Sequence, residues 1–374
     1  MEIEKIASGW IETESPLTYH GWPTLCKLAN GDLLAVASGG RESHMCPFGR
    51  IYCYCSTDGG LTWSKPEKLS CGPLDERDCG VSVAGDGSVL LNYFTSTAFT
   101  SLYDYFQYRN DPAVWPEMQK KMLEELLHIF DISDGWLKKM KEIDLDVLAR
   151  EHSFWMRRST DHGKTWSPKY RIPVNNVHGP SLLQDGTLLW VGKESSKDFV
   201  RQAPFGEKAK VFTSCDNGLT WQYLSSLPEC PGMDQREFHE IHSVQTRSGR
   251  IVTQIRYNSS HTLQTESEDG GHTWSSYRKV FDGYPPHLLN LADGRLLAVY
   301  GWRTKPFGIR CRFGEDLPGC PWGEEITLTD DGDSLDLGYP STVQLPDGSL
   351  VTLWYQFRNT HHLATLRFLK WRIA

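Results

Sequence analysis

The chain has 374 residues, of which 39% are hydrophobic and 14 are tryptophan, enough for a large core, and no apolar run approaches the roughly 20 residues that would span a bilayer. A formal net charge of −8 argues against a general nucleic-acid binder, but it does not exclude an anionic small substrate held by a few local arginines. The ten cysteines include no paired CxxC motifs, so reduced thiols, no metal and no cofactor are expected.

In chain order, the opening MEIEKIASGW lacks the basic, apolar and small-residue succession of a signal peptide, which predicts a cytoplasmic protein, or a secreted one if a leader has been trimmed. GWPTLCKLANGDLLAVA then reads as two β-rich stretches around a turn with glycine at its positive-φ position. The same hairpin signal returns in DCGVSVAGDGSVLLNYF, HGPSLLQDGTLLWVG, EIHSVQTRSGRIVTQIR, PPHLLNLADGRLLAVYG and YPSTVQLPDGSLVTLWY. The turn glycines are 31, 87, 186, 249, 294 and 348, so the spacings are 56, 99, 63, 45 and 54. Apart from the 99, these are the lengths of four-stranded propeller blades, and six of them predict an all-β, six-bladed β-propeller over 1–374. The long spacing is accounted for by an insertion at about 101–152 in the second blade region. There Met118, Met122, Leu123, Leu126, Leu127 and Phe130 share one helical face, and Trp136, Leu137, Met140 and Ile143 suggest a second helix. Packing on the propeller, covering its mouth or making a homo-oligomer contact is the expected role of these helices. The last strand, near LATLRFLKW, is expected to close the ring, with the N-terminal GWIET segment as an outer strand completing the sixth blade.

A second repeat runs in phase with the first: STDGGLTW at 56, STDHGKTW at 159, SCDNGLTW at 214 and SEDGGHTW at 267, with a worn copy in FGEDLPGCPW. Its aspartate suits bonding to the amides of its own turn, its glycine the left-handed conformation and its tryptophan packing between neighbours. Asp58, Asp161, Asp216 and Asp269 are therefore read as fasteners rather than catalysts. The residues just before the six hairpins should ring one axial pocket, which gives Trp22, Asp78 with Arg77, His178, Glu240, His287 and Tyr339.

The repeated Ser-x-Asp-x-Gly-x-Thr-Trp turn resembles the Asp-box of the BNR-repeat six-bladed propellers of the sialidase (neuraminidase) superfamily, and the resemblance covers residues 20–372 apart from the insertion. It implies that Glu240 and Tyr339, each nine residues before its turn glycine, are the catalytic pair in which tyrosine attacks the anomeric carbon with help from glutamate. It implies Arg256 as a clamp on a substrate carboxylate and Arg303 as another, with Arg310 as competitor. The chain departs from the family at His20-Gly21-Trp22-Pro23, where the first clamping arginine is absent, and at GGRESHMCPFGR, where Arg41 lies and where His44 or Glu42 stands near the expected acid/base position. Asp78 is the rival acid.

The resulting expectation is an exo-acting glycoside hydrolase on a carboxylated sugar, sialic acid-like or uronic, so that the partner is an acidic oligosaccharide or glycoside rather than nucleic acid or membrane. Catalytic candidates are Tyr339, Glu240, His44 and Asp78; substrate-binding candidates are Arg256, Arg303, Arg310, Arg41, Arg77, Trp22, His178 and His287. A uronate lyase or other sugar-active enzyme on the same scaffold, and a non-catalytic carbohydrate-binding propeller, are the alternatives.

Overall fold

The computed structural model describes residues 2–13, 19–98, 142–195, 205–258, 261–358 and 363–374, together with Gly135, Lys138 and Lys139. Six antiparallel sheets follow one another around an axis, as the hairpin repeat predicts. Blade one comprises Tyr19–Lys27, Leu33–Arg41, Arg50–Ser56 and Glu67–Lys68; blade four comprises Phe238–Gln245, Ile251–Tyr257, His261–Ser267 and Arg278–Phe281. In blade six the strands Gly338–Gln344, Leu350–Phe357 and Ala364–Ile373 are completed by the N-terminal Ile3–Trp10, which pairs with the last strand. The N-terminal strand begins ahead of the GWIET segment, and the chain is closed by sheet hydrogen bonds between its two ends.

The sequence punctuation has a direct backbone cause. All six hairpin glycines adopt φ between 80° and 95°, a region that costs L-residues with a Cβ. The four Asp-box turns join third to fourth strands, and in each the carboxylate satisfies its own loop. Asp58 accepts from Leu61 N at 3.0 Å, Thr62 N at 2.9 Å, and the Ser56 and Thr62 hydroxyls. The glycine ending each positive-φ pair presses on the preceding blade: a Cβ at Gly60, Gly163, Gly218 or Gly271 would fall within about 3 Å of Val351, Leu34, Leu90 or Leu189, respectively. Each box therefore fastens its own blade to the second strand of the one before it, and the apolar clusters run across these blade junctions.

Of the expected helical insertion, the two apolar faces from Met118 to Met140 lie outside the described residues. What is described is one helix, Leu145–Glu151, capped by the Asp144 side chain, which accepts from Val147 N at 2.8 Å. It leads directly into Phe154–Ser159, the third strand of blade two.

Candidate functional site

Four of the six inner strands are irregular near their starts. Register shifts fall between Gly21 and Thr24, Arg77 and Gly80, Phe238 and Ile241, and Gly338 and Ser341. These bulges carry Trp22, Asp78, Glu240 and Tyr339, each nine residues before its turn glycine. Three of the four hold left-handed backbones, with φ of 56° at Trp22, 43° at Asp78 and 50° at Tyr339. Bulges re-aim side chains, and positive φ at large residues is costly enough to persist only where the surrounding structure enforces it. Four blades therefore depart from regular pairing at the place where they meet the axis.

The other two blades correct the expected ring. Blade three has a broken inner strand, Val174–Asn175 then Ser181–Leu182, and its equivalent position is Val177; blade five pairs regularly from Pro286 to Asn290, and its equivalent is Pro285. His178 lies in the break, while His287 is two residues further along its strand than the ring position. With His242, which the sequence reading missed, they form a stack with ring centroids 4.5–5.1 Å apart. Burial pushes all three imidazoles down, His178 to about 4 and the others further, so the stack is neutral and suited to filling the channel rather than holding an anion. Among the described residues no such cluster has metal-binding geometry.

Glu240 and Tyr339 come from blades four and six, yet the Tyr339 hydroxyl donates to Glu240 Oε1. Arg256, on the second strand of blade four, donates from Nη1 to both Glu240 oxygens at 3.2 and 3.1 Å and to the Tyr339 hydroxyl at 3.3 Å. Burial alone would raise the Glu240 carboxyl, but the Arg256 charge, His239 and the Tyr339 hydrogen bond hold it down at about 2. The Tyr339 phenol is pushed well above its usual value by burial and by Glu240, against the opposing pull of Arg256. The resting site is thus a neutral phenol bonded to an ionised carboxylate, with one guanidinium across both.

Around this cluster, Arg303 stacks over Tyr284 at 5.1 Å and Tyr339 at 5.9 Å, is held by its Nε–H donating to Leu337 O at 3.0 Å, and its charge acts on the Asp336 carboxylate. Arg77 lies over the Trp22 ring at 4.5 Å and donates to His44 O at 3.1 Å. The Trp22 ring also meets Tyr339, at 6.4 Å, and His44, edge-on at 5.0 Å. Glu240 also lines a small cavity of about 40 Å³, together with Asp78, Phe94, Asn175, Lys193, Phe238 and His239, among others. Burial raises the Asp78 carboxyl above the usual carboxylate range; Arg77 opposes the shift and Glu240 adds to it.

Two expected binding arginines are placed elsewhere. Arg41 is fully buried and forked onto Asp75, with Nη2 to Oδ2 at 2.9 Å, so its guanidinium cannot reach a substrate without breaking that pair. Arg310 points into the outer part of blade five, where it donates to Ile309 O and Thr329 O and lies near Glu325. Glu42 is exposed, with its backbone N–H donating to Cys46 Sγ. Sequence reasoning also missed Asp336, which accepts from Tyr355 and Tyr19 and faces His44; it belongs to no repeat, and only the fold brings these residues to it.

The comparisons bear on the family and the fold. Residues 118–352 match the BNR repeat-like domain, and residues 54–65, which contain the first Asp-box, match the BNR/Asp-box repeat. A sialidase from Micromonospora viridifaciens is 28% identical over 176 residues; the match takes in 39% of this chain and 27% of that protein, so the chain spans about a quarter of the curated relative it matches. Among solved structures, a Dyadobacter fermentans protein of unknown function aligns over 100% of this chain and 99% of its own, with 23% identity and a TM-score of 0.74. The Hadza microbial sialidase Hz136 aligns over 94% and 65% at 17% identity with a TM-score of 0.64. The leech intramolecular trans-sialidase aligns over 99% and 70% at 15% identity with a TM-score of 0.65. At these identities the structural likeness is one of fold, whereas the family match covers most of the sequence. The chain belongs to the BNR repeat-like family and is a sialidase-like six-bladed propeller.

Proposed function

We propose that the protein is an exo-acting glycoside hydrolase on a carboxylated sugar, sialic acid-like or uronic, with Tyr339 as nucleophile and Glu240 as the base that activates it. The observation that carries this reading is the Tyr339–Glu240–Arg256 cluster, assembled from blades four and six. An anomeric centre that bears a carboxylate repels an anionic nucleophile. A phenol bonded to an ionised carboxylate approaches neutral and develops charge only as its proton moves to Glu240. Arg256 then stabilises whichever of the two oxygens is negative, and the electrostatics favour a resting state with the proton on the phenol.

The substrate carboxylate is assigned to Arg256 and Arg303, with Arg77 on the Trp22 face standing where the family's first clamp is missing. Forked guanidinium contacts select a planar carboxylate over a neutral group.

The test is hydrolysis of a panel of 4-methylumbelliferyl glycosides of N-acetylneuraminic, glucuronic and related acidic sugars, followed by incubation with a fluorinated, slowly released analogue of the best substrate and peptide mass spectrometry. The expected outcome is turnover on one acidic glycoside and a glycosyl adduct on Tyr339. Turnover with the adduct elsewhere removes the tyrosine mechanism, and an unsaturated product absorbing in the ultraviolet replaces hydrolysis by lyase chemistry. Binding without turnover leaves a carbohydrate-binding propeller.

A further inference from the structure

A retaining glycosidase needs a second group, one that gives a proton to the leaving oxygen and later takes one from water. We propose that His44 is this group and that Asp336 is the positioning residue that fixes its tautomer and orientation; the inference rests on the hydrolase reading above.

His44 lies on the loop after the second strand of blade one, and that loop is anchored by two guanidiniums. Arg41 donates from Nε to Ser43 O at 3.3 Å and from Nη2 to His44 O at 3.0 Å, and Arg77 donates to the same His44 carbonyl at 3.1 Å. The backbone of an otherwise irregular loop is therefore fixed by the buried Arg41–Asp75 pair. The imidazole is located from two sides, standing edge-on to Trp22 at 5.0 Å and at 73° to Tyr19. Its Nδ1 is 3.1 Å from Asp336 Oδ2 and 3.1 Å from the Tyr19 hydroxyl, which donates its own proton to Asp336 and so accepts from the imidazole.

Asp336 lies three residues before Tyr339, in the segment that enters blade six, and its two oxygens are fully used. Oδ1 accepts from the Tyr355 hydroxyl at 2.7 Å, and Oδ2 accepts from the Tyr19 hydroxyl at 2.9 Å as well as facing His44. Burial by itself would raise this carboxyl, but His44, the Tyr355 hydroxyl and the Arg303 charge hold it well below the usual range, so it has no proton to give. In the bond between them Nδ1–H must be the donor, which leaves Nε2 as the nitrogen that can act. The His44 side chain is 35% exposed against 16% for Asp336, so the imidazole has an open face while its partner is covered. Carboxylate-oriented histidines of this kind are used where one nitrogen must pass a proton and the resulting cation must be stabilised. Asp78 lacks these features: its buried Oδ1 has no hydrogen-bond partner among the described residues, and desolvation favours its neutral form, which suits donation to a substrate hydroxyl.

The step balances without a further reagent. His44 enters the cycle as the imidazolium, with Nδ1–H on Asp336 and a second proton on Nε2. As the C–O bond to the leaving group breaks, Nε2–H protonates the departing oxygen and leaves the neutral Nδ1–H tautomer, Tyr339 O bonds to the anomeric carbon, and the phenol proton passes to Glu240. In the second half neutral His44 takes a proton from water as its oxygen attacks the anomeric carbon. Tyr339 leaves and recovers its proton from Glu240, and Asp336 remains ionised throughout.

Proton donation matters most when the leaving group is poor, so the test compares leaving groups. For His44→Gln, kcat/KM on the methyl or lactosyl glycoside of the best acidic sugar should fall by about 10²–10⁴-fold, while kcat/KM on its 4-methylumbelliferyl glycoside falls by less than about tenfold. KM on the aryl glycoside should fall along with kcat, because the covalent intermediate accumulates. Asp336→Asn should reproduce this pattern in weaker form, and Asp336→Glu should restore part of the loss. Equal losses on both leaving groups, or none on either, would overturn the assignment. Tyr339→Phe separates it from the parent reading: loss of both substrates with Tyr339→Phe keeps the hydrolase, whereas retained turnover ends it and the His44 role together. A readout independent of turnover is the long-range ¹H–¹⁵N spectrum of the full chain, with the His44 signals identified by their absence in His44→Gln. With His44 titrated to its neutral form, it should show the Nδ1–H tautomer in the parent and the loss of that tautomer in Asp336→Asn; a predominant Nε2–H tautomer in the neutral ring of the parent would also overturn the proposal.

Discussion

The protein uses carboxylates in two places and in two ways. At the outer turns Asp58, Asp161, Asp216 and Asp269 bond within a stretch of eight residues, so each turn closes on itself. On the axis Glu240 reaches a residue 99 positions away, and Asp336 receives Tyr19 from 317 positions away. Both kinds of carboxylate are held below the usual range, those of Asp58, Asp161 and Asp269 at about 2 and that of Glu240 also at about 2. The causes differ. In the boxes, hydrogen bonds from the turn's own hydroxyls and amides lower the value; on the axis a neighbouring guanidinium and phenol overcome a large burial penalty. A depressed carboxyl is therefore no mark of function by itself, and what separates the two regions is whether the partner is local or brought in by the fold.

The sharpest way to break this contrast is to cut the axial pair. Tyr339→Phe and Glu240→Gln should each cost several decades in kcat, and the double variant little more than the worse single one, because the glutamate acts through the tyrosine. Additive losses in a double-mutant cycle would make them independent groups. Next in size is Arg41→Ala, which leaves the buried Asp75 carboxylate only the more distant Arg77, 3.8 Å away, and should cost about 3 kcal/mol in urea unfolding. Loss of substrate affinity at unchanged stability would return Arg41 to the binding site.

Acid provides a third probe. The folded Glu240 value lies below its ordinary 4.5, so its contribution to stability is complete above about pH 4.5 and disappears as pH falls toward 2. Glu240→Gln should flatten that limb of the stability curve; a superimposable limb would show that the carboxylate is not held down. A smaller effect is expected from Arg256→Lys, which keeps a charge but loses the planar contact. It should weaken acidic glycosides on the order of tenfold more than their methyl esters. Because Arg256 also touches Glu240 and Tyr339, kcat should fall for both; equal losses in binding would remove the substrate-carboxylate role. Smallest is Asp269→Ala, expected to lower Tm by about 2 °C with KM nearly unchanged. A kinetic defect at undiminished Tm would make an Asp-box part of the site.

Local features were legible from the residues alone. A turn glycine at positive φ, a box aspartate bonding to its own amides, and apolar alternation around both are encoded within a dozen residues. Their six- and fourfold repetition was enough to place blades and inner strands. The same periodicity located Glu240 and Tyr339 by their common offset from the turn glycine. It misplaced His178 and His287, because a broken strand in blade three and a regular one in blade five shift the side chain that meets the axis. It could not separate Arg303 from Arg310, seven residues apart on one hairpin, or reveal that Arg41 is closed onto Asp75. Asp336 was invisible, since its partners Tyr19, His44 and Tyr355 come from blades one and six and follow no spacing rule. These depend on the folded ring, because its closure sets which side chains face one another across the axis, and burial sets whether each is charged when it arrives.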